Sequence, residues 1–397
     1  MGKYLFYNAM VITPTGITPG SVLVHGRKIA EVHFEEQLAG MALPVRDAVP
    51  IDCKGLYLSP GFIDIHTHGA GGHDFMDGTK EAIRAACQAH LKHGTTSIVP
   101  TTLTSTKQSM MDILELFNTI DFEEANMPSI LGLHLEGPYF SYEQRGAQDP
   151  RYLRDPDPQE YLAALQLCDR ILRWSFAVEL PGSLEFLAAL NERGIVASVA
   201  HSNATCQEVM RAHENGVCCL THFYSGMSSV IRKNAFRVAG VVEAGYLLPD
   251  MVVEVIADGC HLPRELLQLI YKIKGSSHIC LVTDSMRGAG LPEGDVIMLG
   301  DKEHGIPAII EDGVAKLMDR SAFAGSVATA DRLVRTFREL TKAPLHEVIK
   351  MISLNPAVLV GVADKKGSIA VNKDADLLVF DEDIRIQHTM VRGEMLL

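Results

Sequence analysis

The sequence predicts an α/β protein built around a (β/α)8 TIM-like barrel, and three observations carry this prediction. Eight short apolar runs recur along the chain, most intervals between them have apolar residues at helical spacing, and 397 residues with 47% hydrophobic composition can bury a large core. Apolar strands that alternate with helices are typical of a parallel sheet buried on both faces, and eight such units suggest a closed barrel. The length also favours one large domain with a smaller one.

The eight runs have the composition of strands, with many β-branched residues. Short apolar runs also fit buried helix, and the residue pattern alone leaves that alternative open. Between the runs, segments 79–94, 183–194 and 263–275 mix apolar and polar residues as amphipathic helices do. The predicted strands are 61–66, 96–102, 129–136, 172–179, 194–201, 216–222, 251–258 and 278–284.

Composition and charge argue against several classes of function. The first residues, MGKYLFYNAMVITPTG, lack the apolar core of a signal peptide, and no apolar run reaches transmembrane length, so we expect a cytoplasmic protein with no membrane partner. Eight cysteines without CxxC spacing predict reduced thiols rather than disulfides or a cysteine zinc cluster. A formal net charge of -13 argues against nucleic-acid partners, although a small anionic substrate needs only local cations.

Two histidines stand one residue apart in the first run, PGFIDIHTHGAG (60–71). Side chains alternate across a strand, so His66 and His68 point the same way and can reach one point in space. Two neutral imidazoles directed at one point suit a transition metal. Surface histidines at the end of a strand remain the alternative for this pair taken alone.

Other residues that can bind a metal close the later runs. Glu136 ends the third run, His201 the fifth, His222 the sixth and Asp284 the eighth. The active site of a (β/α)8 barrel lies at the carboxyl ends of its strands, so these side chains are expected to converge with the histidine pair. The set offers nitrogen and carboxylate ligands without thiolate, which suits zinc, iron or another divalent first-row metal.

Six segments carry these residues in order along nearly the whole chain. They are PGFIDIHTHG (60–69), GLHLEGPYF (132–140), AHSNAT (200–205), THFYSGM (221–227), IADGCHL (256–262) and LVTDSM (281–286). In this order they resemble the N-acetylglucosamine-6-phosphate deacetylase family of the amidohydrolase superfamily. The resemblance implies a metal-dependent barrel over residues 58–358, flanked by a small β-sandwich built from residues 1–57 and 359–397. The alternation of apolar and polar residues in 21–34 and 367–394 agrees with strands at both ends.

The resemblance also implies roles for the residues that end the strands. Glu136, His201 and His222 would be the principal ligands of a divalent metal. Asp284 would act first as the general base and then as the general acid.

The histidine pair would add a second metal position, giving one or two metals per chain. Some relatives replace the pair and use one metal, so His66 and His68 mark a point where the family varies. A modified lysine on strand four bridges two metals elsewhere in the superfamily, but LRWSFAVE (172–179) has none, and the glutamate ligand could bridge instead. We expect His134 to pack beside the site, and Glu179 and His90 to be structural.

Substrate recognition is predicted from weaker matches. Gln148, in RGAQDP, is the candidate donor to the oxyanion that develops in the reaction, with a plain loop role as the alternative. His261 matches a family position near the sugar phosphate, and the backbone amides of Ser225 and Gly226 are expected to contact the substrate.

The chain departs from the family in segment 224–240, YSGMSSVIRKNAFRVAG, where the resemblance places the phosphate, often across a dimer contact. A Ser-Gly step stands where the family has Asn-Ala, and the Gly-Arg-Glu-Pro-Gly turn is missing. Arg232, Lys233 and Arg237 could supply the cation, and we favour Arg232 because the guanidinium fork suits phosphate. A solvated charged surface is the alternative. A homodimer is the expected assembly.

The predicted activity is metal-dependent hydrolysis of the acetamide of an N-acetylhexosamine 6-phosphate. N-acetylglucosamine 6-phosphate is the favoured substrate, with glucosamine 6-phosphate and acetate as products. An amidohydrolase acting on another N-acetylated amino sugar, an N-acyl amino acid or a cyclic amide is the alternative. A catalytically inactive sugar-phosphate binder is disfavoured, because binding alone would not need Asp284 together with the principal ligands.

Overall fold

The structure is a computed structural model, and it describes residues 2–34, 47–300 and 305–396. The fold is mixed α/β with many parallel strands. In chain order the strands are β1 (Lys3–Thr13), β2 (Gly16–His25), β3 (Lys28–Phe34), β4 (Val49–Asp52), β5 (Tyr57–Pro60), β6 (Phe62–Thr67), β7 (Gly69–Ala70), β8 (His73–Asp74), β9 (Thr95–Pro100), β10 (Ser129–Ile130), β11 (Leu133–Glu136), β12 (Ile171–Phe176), β13 (Val196–Val199), β14 (Cys219–Leu220), β15 (Ile231–Lys233), β16 (Phe236–Val238), β17 (Val252–Val255), β18 (Ile279–Leu281), β19 (Val296–Leu299), β20 (Ile306–Glu311), β21 (Val314–Leu317), β22 (Leu377–Phe380), β23 (Ile386–Val391) and β24 (Glu394–Met395).

The helices begin where the sequence offers capping side chains. The Thr79 hydroxyl accepts a hydrogen bond from the Ala82 amide, and Thr205 forms a capping box with Glu208. None of the described helices has the length and apolar character needed to span a membrane. The helices are α1 (Lys80–Leu91), α2 (Lys107–Phe117), α3 (Pro158–Leu167), α4 (Ser183–Asn191), α5 (Cys206–Glu214), α6 (Val241–Leu247), α7 (Arg264–Lys274), α8 (Ala330–Thr341), α9 (Leu345–Ile352) and α10 (Leu354–Leu359), and a short 3-10 helix spans Phe75–Asp77.

Both ends of the chain contribute to one sheet, with the strand order β24-β23-β22-β5-β1-β2-β3 and β4 paired to β1. The two ends meet where β5 pairs antiparallel with β22, and Leu58 lies opposite Val379. Both side chains are buried in one apolar cluster with Val11 and Val22. The strands at the carboxyl end begin at Leu377, because the chain before that residue forms turns rather than strand.

Each of the eight predicted runs contains a strand that pairs in parallel with its neighbour. The run 129–136 is divided, because β10 pairs with β9 whereas β11 pairs with β12. The run 172–179 ends as a strand at Phe176, so Glu179 does not close it as the run suggested. The two parallel sheets have the strand orders β10-β9-β6 and β11-β12-β13-β14-β17-β18.

Helices and strands enclose an aromatic part of the core. Trp174 of β12 stacks on Tyr139 with ring centroids 5.9 Å apart and meets the edge of Phe186 of α4 at 4.9 Å. All three side chains are fully buried, and burial of a large apolar side chain stabilises the fold by about 1.5–3 kcal/mol.

Two elements were not anticipated. Strands β15 and β16 form an antiparallel hairpin between β14 and α6. Strands β19, β20 and β21 form an antiparallel sheet between β18 and α8, beside the carboxyl end of the parallel strands.

Candidate metal centre

The residues predicted to bind a metal meet at the carboxyl ends of the parallel strands. Glu136 is the common centre of the cluster: its Oε1 lies 2.9 Å from His222 Nε2 and 3.3 Å from His201 Nε2, and its Oε2 lies 3.3 Å from His68 Nε2. Asp284 Oδ1 is 3.2 Å from the same His68 nitrogen and 3.4 Å from His66 Nε2. All six side chains are buried.

The atoms form two groups that could each hold a metal ion. One consists of His66, His68 and Glu136, and the other of Glu136, His201 and His222, with the ligand atoms of each group within 4.8 Å of one another. Buried His66 Nε2 has no hydrogen-bond partner among the described residues, which fits a nitrogen whose partner is a metal. Imidazole nitrogens with a shared carboxylate are donors that suit zinc and other divalent first-row metals.

The electrostatics of the cluster also favour a bound cation. Burial alone lowers the pKa of His68 and of His222. Contacts with Asp284 and Glu136 nevertheless raise the pKa of His68 to about 10, and the contact with Glu136 raises the pKa of His222 to about 9. The pKa of Glu136 lies well below its ordinary value, because hydrogen bonds from the histidines outweigh the effect of burial. The buried carboxylates of Glu136 and Asp284 thus favour positive charge at these histidines, and a divalent cation bound there would supply it while releasing the histidine protons.

Three of these residues hold unusual backbone conformations. The φ angles are 44° at His201, 33° at His222 and 45° at Asp284, all in the left-handed region that non-glycine residues seldom adopt. Each residue lies just beyond the carboxyl end of a parallel strand: β13, β14 and β18, respectively. Strained conformations persist where the surroundings impose them and cluster at functional sites. No feature of the sequence signalled this strain.

A cavity of about 500 Å³ opens above the cluster. Gln148, Ser225, Gly226 and His261 line it, together with His68, Glu136, His201, His222 and Asp284. A volume of this size is ordinary for a small-molecule site.

Gln148 is buried and fixed at both ends of its amide. Its Nε2 donates to Glu136 Oε2 at 2.9 Å, and its Oε1 accepts from the Thr104 backbone amide at 3.1 Å. The oxygen of the amide therefore faces the backbone, and the nitrogen faces the metal-binding cluster.

Gly226 lies against one of the candidate ligands. Its φ is 58°, and a Cβ there would lie 2.7 Å from His201 Nδ1. Only glycine leaves this histidine room in its present position.

His261 is held by Asp258, whose Oδ2 lies 2.7 Å from His261 Nδ1. The side chain of His261 and hydrogen bonds from the backbone amides of His261 and Cys260 lower the pKa of Asp258 against the opposing effect of burial. Asp258 therefore engages Nδ1 and leaves Nε2 as the ring nitrogen that a substrate group could contact.

Arg232 does not reach the cavity of its own chain. It lies on β15, opposite Arg237 of β16, in a hairpin whose residues 231–237 are exposed. None of the three hairpin cations is among the described residues that line the cavity. Arg232 therefore lies outside the lining of its own chain's cavity, because the segment folds back on itself as an exposed hairpin, and its role in binding a phosphate stays a prediction.

Comparison with known proteins decides the family. The model of the amidohydrolase family matches residues 57–396. An N-acetylglucosamine-6-phosphate deacetylase from Lysinibacillus sphaericus is 32% identical over 348 residues, which cover 87% of each chain. The chain belongs to the N-acetylglucosamine-6-phosphate deacetylase family of amidohydrolases. Another such deacetylase, from Haemophilus influenzae, is 30% identical over 99% of each chain.

Solved structures of this deacetylase family share the fold over the whole chain. The enzyme from Pasteurella multocida has a TM-score of 0.90 at 30% identity and covers 99% of both chains. A mutant enzyme from Mycobacterium smegmatis, solved in complex with N-acetyl-D-glucosamine-6-phosphate, has a TM-score of 0.89 at 26% identity and covers both chains completely.

Sequence reasoning missed several residues of this deacetylase-family site. Arg151 and Tyr152 line the cavity, and the only signal was their closeness to Gln148 in the chain. Arg173 and Glu254 lie buried behind the histidine pair, and both are found inside apolar runs. A charged residue within a buried strand was the signal that could have found them, since such residues are seldom fully buried without a partner.

The three residues expected to be structural have partners of their own. His134 contacts Ser175 Oγ through Nε2 at 2.7 Å, and His90 Nε2 lies 2.9 Å from Thr67 Oγ1. Glu179 accepts hydrogen bonds from the Ser202 hydroxyl and the Asn203 amide. These contacts support the prediction that His134 packs beside the site and that His90 and Glu179 have structural roles.

Proposed function

We propose that the protein hydrolyses the acetamide of N-acetylglucosamine 6-phosphate, giving glucosamine 6-phosphate and acetate. The observation that carries the proposal is the convergence of Glu136, four histidines and Asp284 below one cavity, in a chain of the deacetylase family. The deacetylase activity of the relatives agrees with this donor set, since the hydrolysis of an amide needs an activated water and a proton donor.

We also propose that the parallel strands close into a (β/α)8 barrel over residues 58–358. Support comes from the parallel bridge between Thr101 and His134, which links the two parallel sheets. The Asp284 amide donates to the His66 carbonyl at 2.9 Å, between the last strand and the first. Residues 1–57 and 359–397 would form the small β-sandwich, and Tyr57–Pro60 pairs with its strands.

Glu136, His201 and His222 would be the principal ligands of the metal, and His66 and His68 would form a second position with the shared glutamate. Zinc or iron suits this donor set. A metal bound here would supply Lewis-acid chemistry, which polarises the acetamide carbonyl and makes water more acidic.

Asp284 would transfer the proton. Its carboxylate lies at the floor of the cavity beside His66 and His68, where it can take a proton from the attacking water. The same carboxyl would then give this proton to the nitrogen of the leaving amine, because an unprotonated amine leaves poorly. The second N–H of the Gln148 amide would donate to the oxyanion as it develops, since the first is directed at Glu136.

The proposed metal site predicts the metal content. Protein purified without chelator should contain at least one equivalent of a divalent first-row metal, and two if both groups are filled, because two sets of buried donors are present. Elemental analysis measures this content, and chelator treatment should abolish activity. Less than half an equivalent, with activity insensitive to chelators, would contradict the proposal.

For the phosphate of the substrate we propose His261, with the backbone of Ser225 and Gly226, and one arginine. Within the chain, Arg151 is an arginine that lines the cavity, although its guanidinium is paired with Asp149. Arg232 would contribute only across a homodimer contact. The exposed apolar side chains of Ile231 and Phe236 on the same hairpin support such a contact.

The two arginines can be separated by kinetics. Loss of a charge-assisted contact is worth roughly 1.5–3 kcal/mol, so removing the phosphate-binding arginine should raise KM about ten- to a hundredfold for the phosphorylated sugar. The KM for the unphosphorylated sugar should change little. The kcat for the phosphorylated sugar should stay close to that of the parent protein, because a remote phosphate is bound alike in ground and transition states. Arg151→Ala and Arg232→Ala are compared, with the exposed Arg211→Ala on α5 as the matched control. Equal losses on both sugars in every variant would contradict phosphate recognition by these residues.

The proposed substrate is tested with a panel of N-acetylated sugars, with and without a 6-phosphate. Release of acetate should be fastest from N-acetylglucosamine 6-phosphate. Turnover of N-acyl amino acids or cyclic amides, without turnover of the sugar phosphate, would instead support the alternative amidohydrolase activity.

A further inference from the structure

A buried ion pair lies directly behind His66. Glu254 of β17 and Arg173 of β12 are fully buried, and Oε1 of the glutamate contacts Nη1 of the arginine. Arg173 also donates to the Ile65 carbonyl at 3.0 Å and to Ser198 Oγ at 3.1 Å, so its position is fixed. Neither charged side chain lines the cavity in the described part of the chain, and the proposed reaction does not use them.

Glu254 faces a permanent cation, because the guanidinium of Arg173 stays protonated and contacts Glu254 Oε1. A carboxylate paired with a guanidinium can only accept hydrogen bonds. Glu254 Oε2 lies 3.1 Å from His66 Nδ1, so in this contact the carboxylate is the acceptor and the Nδ1–H of the imidazole is the donor.

The protonation of Nδ1 determines what the other ring nitrogen offers. In a neutral imidazole with its proton on Nδ1, Nε2 presents a lone pair. His66 Nε2 is one of the buried atoms that have no hydrogen-bond partner among the described residues, and it faces Glu136 Oε1 at 3.8 Å and Asp284 Oδ1 at 3.4 Å. This nitrogen would therefore be available to a metal held by these side chains.

The other metal group is held differently. The Nδ1 atoms of His201 and His222 lie 2.8 Å and 3.1 Å from the backbone carbonyls of Gln144 and Ser225. Those rings are oriented by the main chain, whereas the ring of His66 is oriented by a side chain that can be substituted. Glu254 Oε2 also accepts a hydrogen bond from the His222 backbone amide at 3.3 Å, but the His222 ring itself is held by the Ser225 carbonyl. A change at Glu254 should therefore act on the metal position of His66 more than on the other.

We infer that Glu254, with its charge balanced by Arg173, is a positioning residue that fixes His66 as a ligand of the metal position formed with His68 and Glu136. The inference rests on the proposed metal-dependent function. It adds the contact that orients His66 for the metal position shared with His68 and Glu136. Groups that orient a ligating histidine commonly change metal affinity by about 10–100-fold when removed.

The test compares two double variants. Substituting Glu254 alone would leave the buried charge of Arg173 unpaired and could unfold the protein, so both partners are replaced together. Arg173→Met with Glu254→Gln keeps a hydrogen-bond acceptor for His66, and Arg173→Met with Glu254→Leu removes it. Each chelator-treated protein is titrated with Zn²⁺ to give the number and affinity of its sites, after circular dichroism has shown that it is folded.

We expect two sites in the parent protein and in the glutamine variant. The leucine variant should lose about 10–100-fold in affinity at one site and keep the other. Equal affinities in the two double variants, an equal loss at both sites, or a single site in the parent would overturn the inference. Acetate release by the parent is measured separately, so a failure of the proposed activity is distinguished from a failure of this positioning role.

Discussion

Replacing Asp284 with asparagine should lower kcat by about 10²–10⁴-fold while leaving metal content and substrate affinity close to those of the parent protein. Asparagine matches the size of aspartate and keeps a hydrogen-bonding oxygen, but it can neither accept nor return the proton, and general acid–base groups are typically worth about this factor. The substitution leaves Glu136, His201 and His222 unchanged, and these residues form a candidate metal group without Asp284. Steady-state kinetics, elemental analysis and calorimetric titration with the substrate measure the three quantities.

The control for this variant is a half-buried carboxyl near the site, Glu179, which does not line the cavity. Glu179 is partnered with Ser202 and Asn203, the residues that follow His201. Glu179→Gln should lose far less turnover than Asp284→Asn. If Asp284→Asn instead lost its metal, the aspartate would be a ligand, and if its turnover stayed near normal, the aspartate would have no part in the proton transfer.

Replacing Glu136 with glutamine should remove metal from both positions and lower kcat/KM by about a thousandfold or more. Glu136 belongs to both candidate groups, and its charge balances His68 and His222 in the cluster. Glutamine has the same shape without that charge. A metal supplies several kcal/mol of charge stabilisation in the transition state, and each 1.36 kcal/mol is a factor of ten in rate.

Metal content is the primary readout for Glu136→Gln, and His66→Asn is its matched comparison. The histidine variant alters only the group shared with His68, so it should keep the metal held by Glu136, His201 and His222. Full metal content in Glu136→Gln would show that the glutamate is not the shared ligand. Equal metal loss in both variants would show that the two groups do not act as separate positions.

The strands and most of the residues in the cluster could be predicted from local sequence patterns. The eight apolar runs each contain a parallel strand, because buried strands need continuous apolar side chains. The period of two residues in a strand was enough to place His66 and His68 on one side. Residues that close parallel strands lie at one edge of the sheet, which is why Glu136, His201 and His222 could be grouped before their distances were known.

The tertiary structure alone decided which residues stand behind and around that cluster. Glu254 meets His66 across 188 positions of sequence, and this contact depends on the order of the strands, which periodicity does not contain. The positions of two arginines also depend on tertiary structure. Arg232 lies on an exposed hairpin outside its own cavity, whereas Arg151, in the loop after Gln148, lines that cavity. Local patterns determine which way a side chain faces along its own strand, but only the packing of distant segments determines what it meets there.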